Sequence, residues 1–398
     1  MLVLLVATLY YFGMAGRGIY AAGLAMVNVF GLFFGWSMGR LLVWLLDQSP
    51  FTPHAFFKRY NAFLLLILFI GLCLALASFW LVTRWVPDSL GHVAPVYYWL
   101  FFLSLPYYLW FHNSSFFWSA INRLSIQNHL TILFRSLSVL IPILSCVFWQ
   151  VSLTVFLGIF CLINLFSFII ELAIFIKITH MTPTLRMPKL KGIGRNSILL
   201  HLETISGFLI MSVNVLIMNY FFSNTQVGIY STVIQLINAV VVSGQVGQVM
   251  ITQKLAHTGK NKTWPVQKRW ALACGLLSVM SCLMLALILW LLEHYQLVPS
   301  HFHVRQVLFL LIWLSPVAFI MSLQLLLTPQ WIARDWIKRY FHITLVTGLI
   351  NVITLVLFCQ IMGFSGVVIS MLITFSCILL ANIWLSQKTN QLTKLSPS

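Results

Sequence analysis

Acidic side chains are nearly missing from this chain: six Asp and Glu occur in 398 residues, and all charged types together make up 7%. An ordinary soluble domain carries about a quarter charged residues. A soluble fold of this size is thereby excluded, because nothing would hold its surface in water. Enzyme signatures are missing too. The sequence has no GxxxxGK[ST] phosphate loop, no HExxH and no acidic pair flanking a cytosolic cleft, so neither ATP hydrolysis nor a cofactor is expected. The seven cysteines (Cys73, Cys146, Cys161, Cys274, Cys282, Cys359 and Cys377) fall inside apolar runs with no CxxC or paired spacing. No disulfide framework and no metal site is expected from them. Met1 opens directly into Leu2-Val3-Leu4-Leu5-Val6, without the basic segment of a cleavable signal.

What fills the chain instead is apolar sequence, 61% of all residues, with a mean hydropathy of +0.97. Runs of about 20 residues recur, each long enough to cross a hydrocarbon layer about 30 Å thick. They are too long and too uniformly apolar for the alternating strands of a barrel. A helical bundle remains, since a backbone in lipid must satisfy its own hydrogen bonds. The spans are read at about residues 1–12, 16–45, 60–83, 95–118, 128–149 and 153–177, then 198–221, 226–252, 270–293, 305–328, 340–361 and 363–386. The expected fold class is an all-α polytopic membrane protein of about 12 transmembrane helices.

A net charge of +17 would suggest nucleic acid in a soluble protein, so its placement decides. Basic residues crowd every second connection: Lys58 and Arg59; Arg123; Arg186, Lys189, Lys191 and Arg195; Lys254 to Arg269; Arg334, Lys338 and Arg339; then Lys388 and Lys394. The intervening connections offer Arg17, Arg84 and Arg305. The positive-inside rule puts the rich loops, and with an even span count both termini, in the cytoplasm. Anionic membrane lipid accounts for the charge, and no nucleic-acid partner is expected.

Sliding the chain against itself by 210 residues (220 − 10) aligns every span of the first half with one of the second, without a gap. Tyr10, Phe12, Gly18, Ile19, Tyr20 and Asn28 meet Tyr220, Phe222, Gly228, Ile229, Tyr230 and Asn238; Lys58-Arg59 meets Lys268-Arg269, and Pro106 meets Pro316. Six spans per half make the repeat parallel, as in some transporters. The expected domains are a six-helix bundle at 1–180, a basic cytoplasmic linker at 181–197 and a second bundle at 198–398. The repeat would start span one about twelve residues before Met1, so that span is expected to be truncated, its run being shorter than the roughly 17 residues needed. Pro106 and Pro316 should kink spans four and ten.

The stretch Asn219-Tyr220-Phe221-Phe222-Ser223-Asn224-Thr225-Gln226-Val227-Gly228-Ile229-Tyr230 resembles the junction between the seventh and eighth helices of polysaccharide flippases in the multidrug/oligosaccharidyl-lipid/polysaccharide (MOP) superfamily. Gly16-Arg17-Gly18-Ile19-Tyr20 resembles that family's approach to its second helix, and Asn351 with Gly363 to Ser370 its last hairpin. The resemblance implies two MATE-like bundles and translocation of undecaprenyl-pyrophosphate-linked oligosaccharides for O-antigen or capsule assembly. It also implies a bacterial cytoplasmic membrane, a lipid-linked oligosaccharide substrate, and a polymerase and other glycan-assembly proteins as partners. Where that family often has an acidic residue in its seventh helix, this chain has Asn214, which removes the carboxylate from any proton coupling there. A cation-coupled multidrug exporter of the same superfamily is the alternative reading. A glycan polymerase or ligase is another, although the outward connections are short for a catalytic loop.

Candidate residues follow from what is costly in lipid. Glu203 and Glu171 lie within spans, where a charged carboxylate costs about 2.5 to 3.5 kcal/mol. Glu203, with His201 beside it, reads either as a gating or coupling group or as an interface carboxylate pairing with Arg195. Glu171 carries the same two readings. Gln235, Asn238, Gln245, Gln248 and Thr252 fall within an arc of about 140° on one helix wound at 100° per residue. Such amides either bond sugar hydroxyls in a cavity or join helices; Asn28, in the equivalent span, and Asn214 belong with them. Arg40 and Arg135 either receive a pyrophosphate bidentately or extend to the headgroups. His112 reads as a hydrogen-bonded packing residue.

Overall fold

The computed structural model describes residues 2–39, 45–46, 51–85, 90–180, 201–202, 205–210, 212–258, 260–334 and 336–395. Among them there is no strand. The helices are α1 (Leu2–Phe34), α2 (Pro53–Trp85), α3 (Pro95–Phe102), α4 (Leu105–Ala120), α5 (Leu124–Trp149) and α6 (Leu153–Thr179), then α7 (Val213–Phe221), α8 (Asn224–Val240), α9 (Val242–Thr258), α10 (Lys260–His294), α11 (Val304–Trp313), α12 (Ser315–Ala333), α13 (Ile337–Met362) and α14 (Ser365–Leu395). Seven helices are long and apolar enough to cross a membrane, nine if the bent pairs α8 with α9 and α11 with α12 each count once. The expected spans beyond those nine are broken ones. Spans one and two are the parts of α1 on either side of the non-helical Gly13, span four divides into α3 and α4, and span seven is the segment 205–210 followed by α7. Large apolar side chains face outward along these helices, Phe69, Met280 and Ile361 being more than 60% exposed. On a soluble protein such a surface would aggregate; here it meets lipid, and the chain is a multi-pass membrane protein.

The chain folds as two compact units, residues 3–12 with 19–205 and residues 13–18 with 206–398. In the first, α5 packs on α6, α4 on α6 and α2 on α4. An aromatic core of Phe79, Tyr98, Phe101 and Phe102 adjoins Tyr20 and Phe160, and a second core gathers Phe57, Trp110, Phe117, Trp118 and Phe175. In the second unit the same pairings recur as α13 on α14, α12 on α14 and α10 on α12, around Trp264, Leu326, Leu327 and Trp331. The linker 181–197 lies outside the described residues.

The repeat extends to backbone angles. Ser104 (φ −90°, ψ 0°) separates α3 from α4, and Leu314 (φ −94°, ψ 0°) separates α11 from α12. These positions are 210 apart, each two residues before its matched proline. Pro106 and Pro316 therefore begin new helices, in the first turn where a missing N–H costs nothing, and do not kink continuous ones as expected from sequence. The α11 and α12 axes differ by 49°. At another matched pair the chain uses different chemistry for the same break. Gly13 adopts φ 65°, ψ −171° inside α1, a region essentially reserved for glycine. Its equivalent Ser223 stays extended and caps α8 through a capping box with Gln226.

Within the second unit, the Met14–Gly18 turn of α1 crosses the Asn224–Gly228 turn of α8 with backbone against backbone. A Cβ on Gly18 would lie 1.8 Å from the Asn224 carbonyl oxygen, and one on Gly228 1.9 Å from that of Met14. Both pairs are related by the repeat (224 − 14 and 228 − 18 are each 210), so the crossing has local two-fold symmetry. Only glycine permits this approach. Gly18→Ala and Gly228→Ala should each destabilise the protein by about 1–3 kcal/mol. The double variant should cost less than the sum, because one separation of the helices accommodates both methyls. Thermal unfolding of the purified variants, followed by tryptophan fluorescence, checks both statements.

Candidate functional site

The first unit encloses a cavity of about 320 Å³ between α1, α4, α5 and α6, whose polar lining is Asn28, Tyr107, Tyr108, Arg135, Ser138 and Asn164. Asn28 donates its amide to the Leu24 carbonyl at 2.8 Å, leaving its own oxygen as an acceptor. The Arg135 guanidinium lies 4.9 Å from the centre of the Phe111 ring, a wall that orients the cation without neutralising it. Asn164 is 6% exposed, and its amide nitrogen has no hydrogen-bond partner among the described residues. An unmet buried donor costs about 1–3 kcal/mol. A second hollow of about 210 Å³ is lined by Ser37, His112 and Asn113. His112 Nε2 is buried without a partner among the described residues, contrary to the hydrogen-bonded role expected for it.

The second unit holds a pocket of about 270 Å³ lined by Gln245 and Gln248 of α9, Gln324 and Thr328 of α12, and Tyr340 and Thr344 of α13. Among the described residues no charged side chain contributes to its wall. The polar stripe expected on one helix is divided by the 41° bend between α8 and α9. Gln245 and Gln248 go to the pocket, with Thr252 further along α9. Asn238 is exposed on α8. Gln235 accepts a hydrogen bond from Arg17. Arg17, expected in an outward connection, is 5% exposed inside α1. The repeat carried that signal, since its equivalent Val227 is fully buried.

Asn214 does not line these cavities. It is fully buried, donates to Tyr230 Oη at 3.1 Å and accepts from Asn351 Nδ2 at 2.6 Å. Asn351 in turn donates to the Leu209 carbonyl and accepts from Thr374, while Thr354 and Ser370 share a hydroxyl contact of 2.8 Å. This neutral network ties α7, α8, α13 and α14 together. Glu171 is buried at 2% exposure among Trp110, Trp118 and Phe175 and accepts from Trp118 Nε1 at 2.9 Å, a place in packing and not on a cavity wall. His201 stacks on Trp36 with ring centres 5.8 Å apart, its Nδ1 lying 3.4 Å from Ser37 Oγ. Glu203, Arg40 and Arg195 lie outside the described residues.

Sequence reasoning missed Tyr107, Tyr108, Ser138, Asn164, Gln324, Thr328, Tyr340 and Thr344. Part of the signal was there: Gln324 with Thr328, and Tyr340 with Thr344, are polar pairs four residues apart on single helix faces within apolar spans.

No protein-family model matches the chain, and the search of curated proteins returned no match. Solved structures do match. The lipid II flippase MurJ in an inward closed conformation is similar at 11% identity, with a TM-score of 0.63 over 99% of this chain and 88% of that one. An inward-facing multidrug resistance MATE family transporter of the MOP superfamily is similar at 13% identity, with a TM-score of 0.64 over 99% of this chain and 94% of that one. The MATE multidrug transporter DinF-BH is similar at 14% identity, with a TM-score of 0.56 over 97% of this chain and 90% of that one. At these identities the likeness establishes a shared fold: this chain is folded as MOP transporters are.

Asn351→Leu should destabilise the second unit by about 1–3 kcal/mol for each buried partner left unmet, whereas Arg135→Leu, at an exposed side chain on a cavity wall, should leave the melting temperature nearly unchanged. Paired melting curves of the two variants check this contrast.

Proposed function

We propose that this protein translocates undecaprenyl-pyrophosphate-linked oligosaccharide repeat units from the cytoplasmic to the outer leaflet of a bacterial cytoplasmic membrane, for O-antigen or capsule assembly. The observation that carries the reading is the cavity of the first unit. It offers a guanidinium, Arg135, on a wall shared with tyrosine hydroxyls and the side chains of Asn28 and Asn164. A pyrophosphate accepts from a guanidinium bidentately and from neutral donors around it. The two compact units supply the two bodies that alternating access requires. The fold shared with a lipid II flippase supports the reading, and the basic loops support cytoplasmic termini.

The multidrug exporters share the fold equally well. Arg135 supports the flippase reading, because a guanidinium in the cavity disfavours a cationic drug and favours an anionic headgroup. A polymerase or ligase would need an acid or base, and among the described residues no carboxylate lines these two cavities. The glycan polymerase and other assembly proteins would then be functional partners downstream of translocation.

In a strain lacking this protein and any redundant flippase, surface glycan should be lost and assembled lipid-linked repeat units should accumulate. Wild type should restore the surface glycan, Arg135→Lys should do so in part, and Arg135→Leu should not, at equal membrane levels of protein. Normal surface glycan in the deletion strain, together with altered drug sensitivity, would transfer the assignment to an exporter.

A further inference from the structure

The uncharged pocket of the second unit is not a copy of the Arg135 cavity. In the repeat register Gln324 and Thr328 correspond to Ser114 and Trp118 of the first unit (324 − 210 and 328 − 210). There the indole of Trp118 is fully buried and bonded to Glu171, while Gly31 and Gly35, the equivalents of Val241 and Gln245 (241 − 210 and 245 − 210), line the smaller hollow beside His112. The Arg135 cavity differs again. Leu4, Tyr20 and Asn164, which line the Arg135 cavity, correspond to Asn214, Tyr230 and Thr374. Those side chains belong to the buried network that closes this place in the second unit. The two units thus line related places with different side chains.

Resting on the flippase reading, we infer that the second unit's pocket binds a neutral sugar ring of the substrate, separately from the pyrophosphate. Thr328 and Thr344 donate to the carbonyls of Gln324 and Tyr340 at 2.7 and 2.8 Å, so their oxygens remain acceptors for a ligand. Gln324 donates to Tyr340 Oη at 3.5 Å, fixing the phenol, while Gln245 and Gln248 bring both amide donors and acceptors. Alternating donors and acceptors without charge match neighbouring sugar hydroxyls or an acetamido group. They do not suit a phosphate, which calls for cations, or a metal ion, which calls for carboxylates. Phe375 adds an apolar wall for the C–H face of the ring. At about 270 Å³ the pocket lies near the roughly 300 Å³ lower limit of ligand sites, a size for one ring and not for a whole repeat unit. Tyr340 and Thr344 stand within the first two turns of α13, next to the basic residues Arg334, Lys338 and Arg339 that mark the cytoplasmic end, where the substrate arrives.

The test measures binding of two probes to the purified protein in lipid nanodiscs: undecaprenyl pyrophosphate, and the same carrier bearing one N-acetylhexosamine. The sugar-bearing probe should bind wild type more tightly, by about 2- to 10-fold for each hydrogen bond gained. Gln324→Leu with Gln245→Leu should abolish that difference and leave the affinity for the bare carrier unchanged. The near-isosteric Thr344→Val, which spares the packing, should reduce the difference in part. Equal binding of both probes by wild type, or an equal loss of both in the variants, would overturn the sugar pocket and leave the flippase reading standing. Binding of neither probe by wild type would overturn both.

Discussion

Inside hydrocarbon a polar group must find its partner within the protein, face a cavity, or cost several kcal/mol. That constraint sorts nearly every polar side chain in this fold. Asn214, Asn351, Thr374 and Tyr230 satisfy one another and join four helices. Glu171 is held by the Trp118 indole, and Arg17 reaches Gln235. The residues left over are informative for that reason. Asn164 has an amide with nothing to bond among the described residues, and it lies beside Arg135 on a cavity wall.

The same constraint explains how a duplicated backbone came to serve two chemistries. Helix breaks and helix pairings repeat in register, down to the matching angles at Ser104 and Leu314. Those features are set by main-chain hydrogen bonding and by proline, both tolerant of side-chain change. The interior side chains have diverged in opposite directions. One unit buries Trp118 against Glu171, where the other has Thr328 on the wall of a pocket of amides and hydroxyls. A close glycine crossing such as Gly18 on Gly228 tolerates no such drift, because its contact is backbone on backbone and any side chain parts the helices.

Fold class, the helical spans and the repeat were legible in the sequence, because length and hydropathy follow directly from the thickness of the hydrocarbon layer. The repeat even carried information that span assignment overlooked: Arg17, placed in a connection for its charge, aligns with buried Val227 and is itself buried. Helix breaks were only partly legible. Proline marked the positions of two of them, but whether a proline kinks a helix or starts a new one depends on which carbonyls have other partners nearby.

The sequence by itself determined that this is a helical membrane protein of repeated halves with its charge gathered in alternate loops, since each of those properties is a sum over local residues. Only the tertiary structure decided which polar residues face a cavity and which face one another. Asn28 and Asn214 look alike in sequence, each an amide in an apolar span. One lines a cavity beside a guanidinium, and the other is closed off by Tyr230 and Asn351. The difference is set largely by side chains brought in from distant helices, Arg135 and Asn164 in one case and Asn351 in the other, and no local pattern encodes where those helices arrive.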